Sequence, residues 1–224
     1  MPQQPGRWLH MTFATRTEAG EQLAARLAAL RPADPVVLAL PRGGVPVAVP
    51  IAVALHAPLD LVMARKIGVP GHEEVAAGAV VNGDDPHIVV NPSVLAAAGM
   101  SEEQVRALAE QELLTIRQRR EQYLAGRAPV DLHARTAIVV DDGIATGATM
   151  RVALQAVRRR GPGRVVLAVP VAPPETLASL RPEVDDVVCL LSPQHFYAVG
   201  EFYRDFHQVS DAEVMAEVDG LDRP

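Results

Sequence analysis

The segment AIVVDDGIATGATM, residues 137–150, sets two adjacent carboxylates after an apolar run and follows them with a loop of small residues. A bound phosphate needs several converging donors. The main-chain N–H groups of Ala145, Thr146, Gly147, Ala148 and Thr149 can supply them at a helix start, with the hydroxyls of Thr146 and Thr149 alongside. Asp141 and Asp142 stand at the carboxyl end of the predicted strand, where open α/β sheets place ligands, and they can accept hydrogen bonds from sugar hydroxyls. One element would thus hold a sugar and the phosphate it bears. Upstream, LPRGGVP at residues 40–46 joins the charged fork of Arg42 to Gly43 and Gly44, which permit a tight turn suited to a pyrophosphate. A third segment, ARKIGVPGHEEVAAGAV at residues 64–80, pairs Arg65 with Lys66 and carries Gly68 and Gly71 at hinge-capable positions. Neither G-x-x-x-x-G-K-[ST] nor G-x-G-x-x-G occurs, so the common nucleotide loops are not in the chain.

The elements that must position these residues alternate in type. Apolar runs VVLAL (36–40), LDLVMA (59–64), AIVVD (137–141), RVVLAVPV (164–171) and VDDVVCLL (184–191) read as strands covered on both faces. A helix is predicted over 16–30, where Thr15 and Glu18 have capping-box spacing and Ala19, Leu23, Leu27 and Leu30 form one stripe. A second runs from Ser101 to about Leu124, with Val105, Leu108, Leu113, Ile116 and Tyr123 on its apolar side and Glu102 spaced to pair with Arg106. A third runs over 149–160 and stops at Gly161 and Pro162. Pro50 predicts a late start or a kink in the helix after Gly44. The order implies an α/β chain with a parallel sheet.

With 21 basic and 27 acidic side chains in 224 residues the net charge is −6, which argues against nucleic acid and an anionic membrane as partners. The longest apolar stretch, 44–55, is too short to span a bilayer and contains Pro46 and Pro50; the N-terminus shows no apolar leader block. The chain therefore reads as a cytoplasmic protein. Cys189 reads as a buried strand residue. The seven histidines show no metal-ligand spacing, and His72 and His195 read as polar loop residues. Five of the eight aromatics, Phe196, Tyr197, Phe202, Tyr203 and Phe206, lie in HFYAVGEFYRDF. They could stack on a flat base, pack as a lid, or meet a second copy in a homodimer.

Residues 137–150 resemble the motif by which type I phosphoribosyltransferases bind 5-phosphoribosyl-1-pyrophosphate (PRPP): four apolar residues, two acids, then a small Thr- and Gly-containing phosphate loop. Gly143 departs from the pattern, standing where the family more often has a bulkier apolar residue. Ala145 stands where hypoxanthine-guanine enzymes usually carry an aspartate for the purine N7; the loop is closer to that of adenine enzymes, whose other recognition features are not evident. LPRGGVP resembles the family's pyrophosphate loop, which in many members contains a non-proline cis peptide. Residues 64–80 resemble the mobile loop that closes over PRPP. The combined order PRGG, RK-x-G-x-PG, DDG-x-ATGA and VG-x-FY-x-DF resembles a branch of predicted phosphoribosyltransferases without an assigned acceptor, and the resemblance covers most of residues 35–191.

The resemblance implies a central, mainly parallel sheet flanked by helices, with a small hood. It implies one domain over 1–224, with its core at about 35–191 and a C-terminal hood or tail at about 192–224. It implies Mg²⁺-dependent phosphoribosyl transfer from PRPP to a small-molecule nitrogenous acceptor, in nucleotide metabolism. Asp141 and Asp142 would hold the ribose hydroxyls and help bind Mg²⁺, directly or through water, and residues 145–149 would cradle the 5′-phosphate. Pro41, Arg42, Gly43, Gly44, Arg65 and Lys66 would bind pyrophosphate. Arg42, Lys66, Asp141 and Asp142 would carry catalysis, and Glu74 is a candidate acid or base. The alternatives are a non-catalytic sensor of PRPP or a nucleotide, against which the cationic pair Arg65 and Lys66 leans, and a hydrolase or phosphorylase of a phosphoribosyl compound.

Overall fold

The computed structural model describes residues 12–81 and 87–221. The side chain of Glu74, the N-terminal residues 1–11 read above for a leader, and the last three residues of the tail lie outside the described residues.

The chain runs α1 (Arg16–Ala29), β1 (Pro35–Ala39), α2 (Gly44–Leu55), β2 (Leu59–Leu61), β3 (Ala64–Val69), β4 (His72–Val81), β5 (His87–Val90), α3 (Pro92–Ala98), α4 (Glu102–Leu124), β6 (Thr136–Val140), α5 (Ala148–Arg159), β7 (Arg164–Val171), α6 (Pro174–Leu180), β8 (Asp186–Leu191) and α7 (Asp211–Gly220). Five strands form a parallel sheet in the order β2-β1-β6-β7-β8, and β3-β4-β5 form a separate antiparallel sheet. The expected α/β fold with a central parallel sheet between helices is what the chain adopts. Val36–Leu38 of β1, Ala137–Val140 of β6 and Val165–Val169 of β7 are buried, as strands covered on both faces must be.

Strand order locates the crevice. From β1 the chain passes to β2 on one side, and later to β6 on the other, so β1 and β6 flank the point where the winding reverses. The loops at the carboxyl ends of two such strands are where open α/β sheets place ligands. Here they are the segments after Ala39 and after Val140, the two that carry PRGG and the paired aspartates.

Capping decides where the helices begin. Thr15 accepts from the Glu18 amide at the head of α1, and Ser101 with Gln104 closes a reciprocal box at the head of α4. Ala19, Leu23 and Leu27 bury the predicted stripe, but Leu30 is the C-cap and faces solvent, 37 % exposed. Glu102 pairs with Arg106 at 3.9 Å. The expected delay at Pro50 does not occur. α2 starts at Gly44 and takes Pro50 into its body.

The expected loop over 64–80 is instead a β-hairpin. Pro70 and Gly71, the latter at φ +79°, make a tight turn. Ile67, Val69, Ala77 and Val80 are buried beneath it. An alternating apolar pattern joined by a Pro-Gly dipeptide is a hairpin signal, and hinge-capable glycines are compatible with either reading. The ribbon packs against α4 and α5. The run at 59–64 contributes only three residues to β2 before the chain leaves for β3.

Buried Asp60, 2 % exposed, ties the edge strand to α4: Oδ1 accepts from the Leu61 amide at 2.7 Å and pairs with Arg120 Nη2 at 2.8 Å, while Oδ2 accepts from the Val130 amide at 3.0 Å. Removing one member of such a pair strands the other charge. Asp60→Ala is expected to lower the unfolding free energy by about 3–5 kcal/mol, read from urea denaturation. A wild-type midpoint would show that the pair carries no stability.

Candidate functional site

At the reversal point the two loops touch. The Leu40 amide donates to the Val140 carbonyl at 2.9 Å, and the Gly44 amide closes back on Leu40 at 3.0 Å. The Pro41–Arg42 peptide is cis. A Cβ on Gly43 would fall 2.1 Å from Asp142 Oδ2, and one on Gly44 would fall 2.8 Å from the Val140 carbonyl oxygen and 3.1 Å from Asp141 Cα. Any side chain at either glycine would push the loop off the aspartates, so the two glycines are required by close approach. Gly43, Gly44, Asp141 and Asp142 are thereby brought together.

Below the aspartates, Ile144 is pinned by its amide to the Val171 carbonyl at 3.0 Å. The chain then turns through Gly147, at φ +77°, into α5. Ala145, Thr146, Ala148 and Thr149 are exposed and Gly147 is buried. The loop is braced by Thr176, whose hydroxyl donates to the Ala145 carbonyl at 2.7 Å. Unlike α1, α3, α4 and α7, α5 has no side-chain cap at its N-terminus. Its first-turn amides lack intrahelical partners, and the helix dipole adds partial positive charge there.

The electrostatics of the acids follow from their setting. Burial pushes the Asp141 carboxyl well above the usual carboxylate range, with the neighbouring Asp142 charge adding to the shift. Burial raises Asp142 too, opposed by the hydrogen bond and charge of Arg16. Arg16, only 7 % exposed, donates from Nε to Asp142 Oδ2 at 2.8 Å and from Nη1 to the His207 carbonyl at 2.9 Å. Its guanidinium lies 3.9 Å from the centre of the Phe206 ring. Tyr203 donates to the Asp142 carbonyl at 2.6 Å, stacks on Phe206 and contacts Phe13. Burial raises the Tyr203 phenol, so it remains a donor.

Other expected site residues are placed differently. Arg42 reaches Asp211 at the head of α7, 3.4 Å away, where Tyr123 also donates to Asp211. Arg65 pairs with Glu112 of α4. Lys66, its neighbour on β3, is exposed and by strand alternation lies on the opposite face of the ribbon. The expected cation pair is therefore split. Cys189 is half-buried in β8, with burial pushing its thiol up to about 11. His195 is an exposed loop residue, whereas exposed His72 opens β4 and is not in a loop. Of the C-terminal aromatics, Tyr203 and Phe206 pack around Arg16, Phe196 stacks on Phe202, and Tyr197 is 85 % exposed. Arg16, Tyr123, Thr176 and Asp211 were not legible as site residues. Arg16 and Asp142 lie 126 positions apart, and neither residue type nor spacing links them.

Residues 15–207 match the model of the phosphoribosyl transferase domain. The chain belongs to this family. It is 45 % identical over 211 residues to a protein of Mycobacterium tuberculosis represented in strains CDC 1551 / Oshkosh and H37Rv, which bears a provisional phosphoribosyl transferase name; the match covers 94 % of this chain and 47 % of the relative. The chain thus spans about half the length of the curated relatives it matches. Among solved structures it resembles TT1426 from Thermus thermophilus, with TM-score 0.79 and 42 % identity over 92 % of this chain and 97 % of that one. A Neisseria gonorrhoeae protein shares the fold, with TM-score 0.52 and 14 % identity over 93 % of this chain and 96 % of that one.

Gly143, the position that departs from the family pattern, has a local cause. A Cβ there would lie 2.5 Å from Val199 Cγ1 and 3.1 Å from Val171 Cγ1, because the C-terminal segment fills the space a side chain would take. Gly143→Ala is expected to lower the unfolding free energy by about 1–3 kcal/mol by overpacking, with backbone strain at φ +159° adding to it. Adding Val199→Ala should recover part of that loss. Urea midpoints of the single and double variants check this, and equal loss in both would refute the steric explanation.

Proposed function

We propose that this chain transfers the 5-phosphoribosyl group of PRPP to a nitrogenous base. In that reaction the bond from the ribose anomeric carbon to pyrophosphate breaks, the bonding electrons leave with pyrophosphate, and the acceptor nitrogen forms the new bond and gives up a proton. The observation that carries the reading is the meeting of three parts at one sheet reversal: a Gly-Gly turn, two adjacent carboxylates in contact with it, and an exposed helix start without a side-chain cap.

On this reading the amides of residues 145–149, with Thr146 and Thr149, hold the 5′-phosphate. Asp141 and Asp142 accept from the ribose hydroxyls and fix the sugar. The loop at Pro41, Arg42, Gly43 and Gly44 receives the pyrophosphate, and binding there would compete with Asp211 for Arg42. Lys66 supplies further positive charge to the leaving group; Arg65 would have to exchange Glu112 for pyrophosphate to do the same. Positioning and charge stabilisation of an oxocarbenium-like transition state would then account for most of the rate. Two carboxylates side by side suit Mg²⁺, which commonly binds one or two acids together with substrate phosphates. Asp141 and Asp142 would hold it, directly or through water, and its charge would offset that of the pyrophosphate. No group of three or more metal-ligating side chains occurs among the described residues, so the remaining ligands would come from substrate and water.

Asp141→Asn combined with Asp142→Asn is expected to weaken PRPP binding at least about tenfold in calorimetry, since each charge-assisted hydrogen bond contributes ~1.5–3 kcal/mol. Unchanged affinity would dismiss the ribose assignment.

A second reading, a sensor without turnover, has one observation in its favour: the Neisseria protein of the same fold is described with bound ppGpp. Pyrophosphate release separates the two. With Mg²⁺ and PRPP, an enzyme releases pyrophosphate with one or more members of a panel of purine and pyrimidine bases, whereas a sensor binds and releases none.

A further inference from the structure

We propose that Arg16 is the positioning residue for the ribose-binding carboxylate of Asp142, and that residues 203–207 form the bracket that keeps it in place. The inference rests on the PRPP reading above.

Arg16 is the first residue of α1, a place where an arginine ordinarily extends into water, yet it is 7 % exposed. Each part of its guanidinium has separate work. Nε bonds Asp142 Oδ2 at 2.8 Å, Nη1 bonds the His207 carbonyl at 2.9 Å, and Cζ lies over the Phe206 ring, 3.9 Å from its centre. The contact to Asp142 is made end-on through one nitrogen and one oxygen. It therefore fixes the direction of the carboxylate. Tyr203 grips the same residue at its carbonyl, 2.6 Å away, so Asp142 is held at both side chain and main chain.

The bracket is itself anchored to the start of α1. Phe13 and Tyr203 form a parallel bridge, with the Phe13 amide donating to Phe202 and the Arg204 amide to Phe13, each at 2.8 Å. Residues from both ends of the described chain thus converge on an acid in its middle. Arg16 also brings positive charge against the mutual repulsion of the two neighbouring acids. An ion pair that served only to fasten α1 would not need to terminate on the acid that touches the Gly43 turn.

Lysine can replace the charge of Arg16 but not its planar fork. Arg16→Gln is expected to weaken PRPP binding tenfold or more, with Arg16→Lys falling between it and wild type. A double-mutant cycle with Asp142→Asn distinguishes positioning from general support. If Arg16 acts through the Asp142 carboxylate, Arg16→Gln costs less than about threefold once Asp142 is already Asn. Folding of every variant is checked by its urea midpoint, and where Arg16→Gln does not fold, Arg16→Lys carries the same cycle. A wild-type protein that does not bind PRPP overturns the functional reading itself. A wild-type protein that binds, with an Arg16 variant that binds equally well or with losses that add, overturns only the role given to Arg16.

Discussion

Two carboxylates held side by side at the end of an apolar sheet repel each other and lose much of their hydration, and the surrounding structure is arranged to tolerate that. Main-chain contact on Asp141 and the guanidinium on Asp142 act in this direction, while burial acts against it. Burying an acid without such partners is unfavourable enough that it would take up a proton instead. The Gly43–Gly44 turn, the C-terminal segment through Tyr203 and the start of α1 through Arg16 all make direct contact with this pair.

The sheet topology serves the same end. The reversal of winding between β1 and β6 places two loops of distant sequence in contact, at the ends of short strands that are almost wholly buried. The helix that follows the acids then begins at an exposed turn with unsatisfied amides. An acidic residue capping α5 from within would have removed that positive end. A glycine cap with no hydrogen-bonding side chain preserves it.

Much of this was legible in the sequence. The strands at 137–141 and 164–171 lie within a residue of their observed ends, as continuous β-branched runs should, and the acid pair with its glycine-containing loop announced itself by residue type. The hairpin at 64–81 is not distinguished by residue type, because glycines at 68 and 71 carry the same signal whether they hinge a loop or turn a ribbon. The partners of the site were harder still. Arg16 follows a capping threonine like any first-turn residue, and Tyr203 and Phe206 read as generic aromatics. Their roles arise from tertiary contacts between residues with no local pattern in common, the bridge between Phe13 and Tyr203 among them.

One missing side chain carries information about the whole C-terminal route. With hydrogen alone at position 143, the floor beside the acids has a notch, and Val199 occupies it from a segment more than fifty positions later. A family member bearing a branched residue at that position has no notch to offer. A branched residue at 143 in this chain would meet Val199 and displace the segment that carries it. In this chain a hydrogen atom in place of a side chain thus sets how closely the segment around Val199 lies against the core beside the acids.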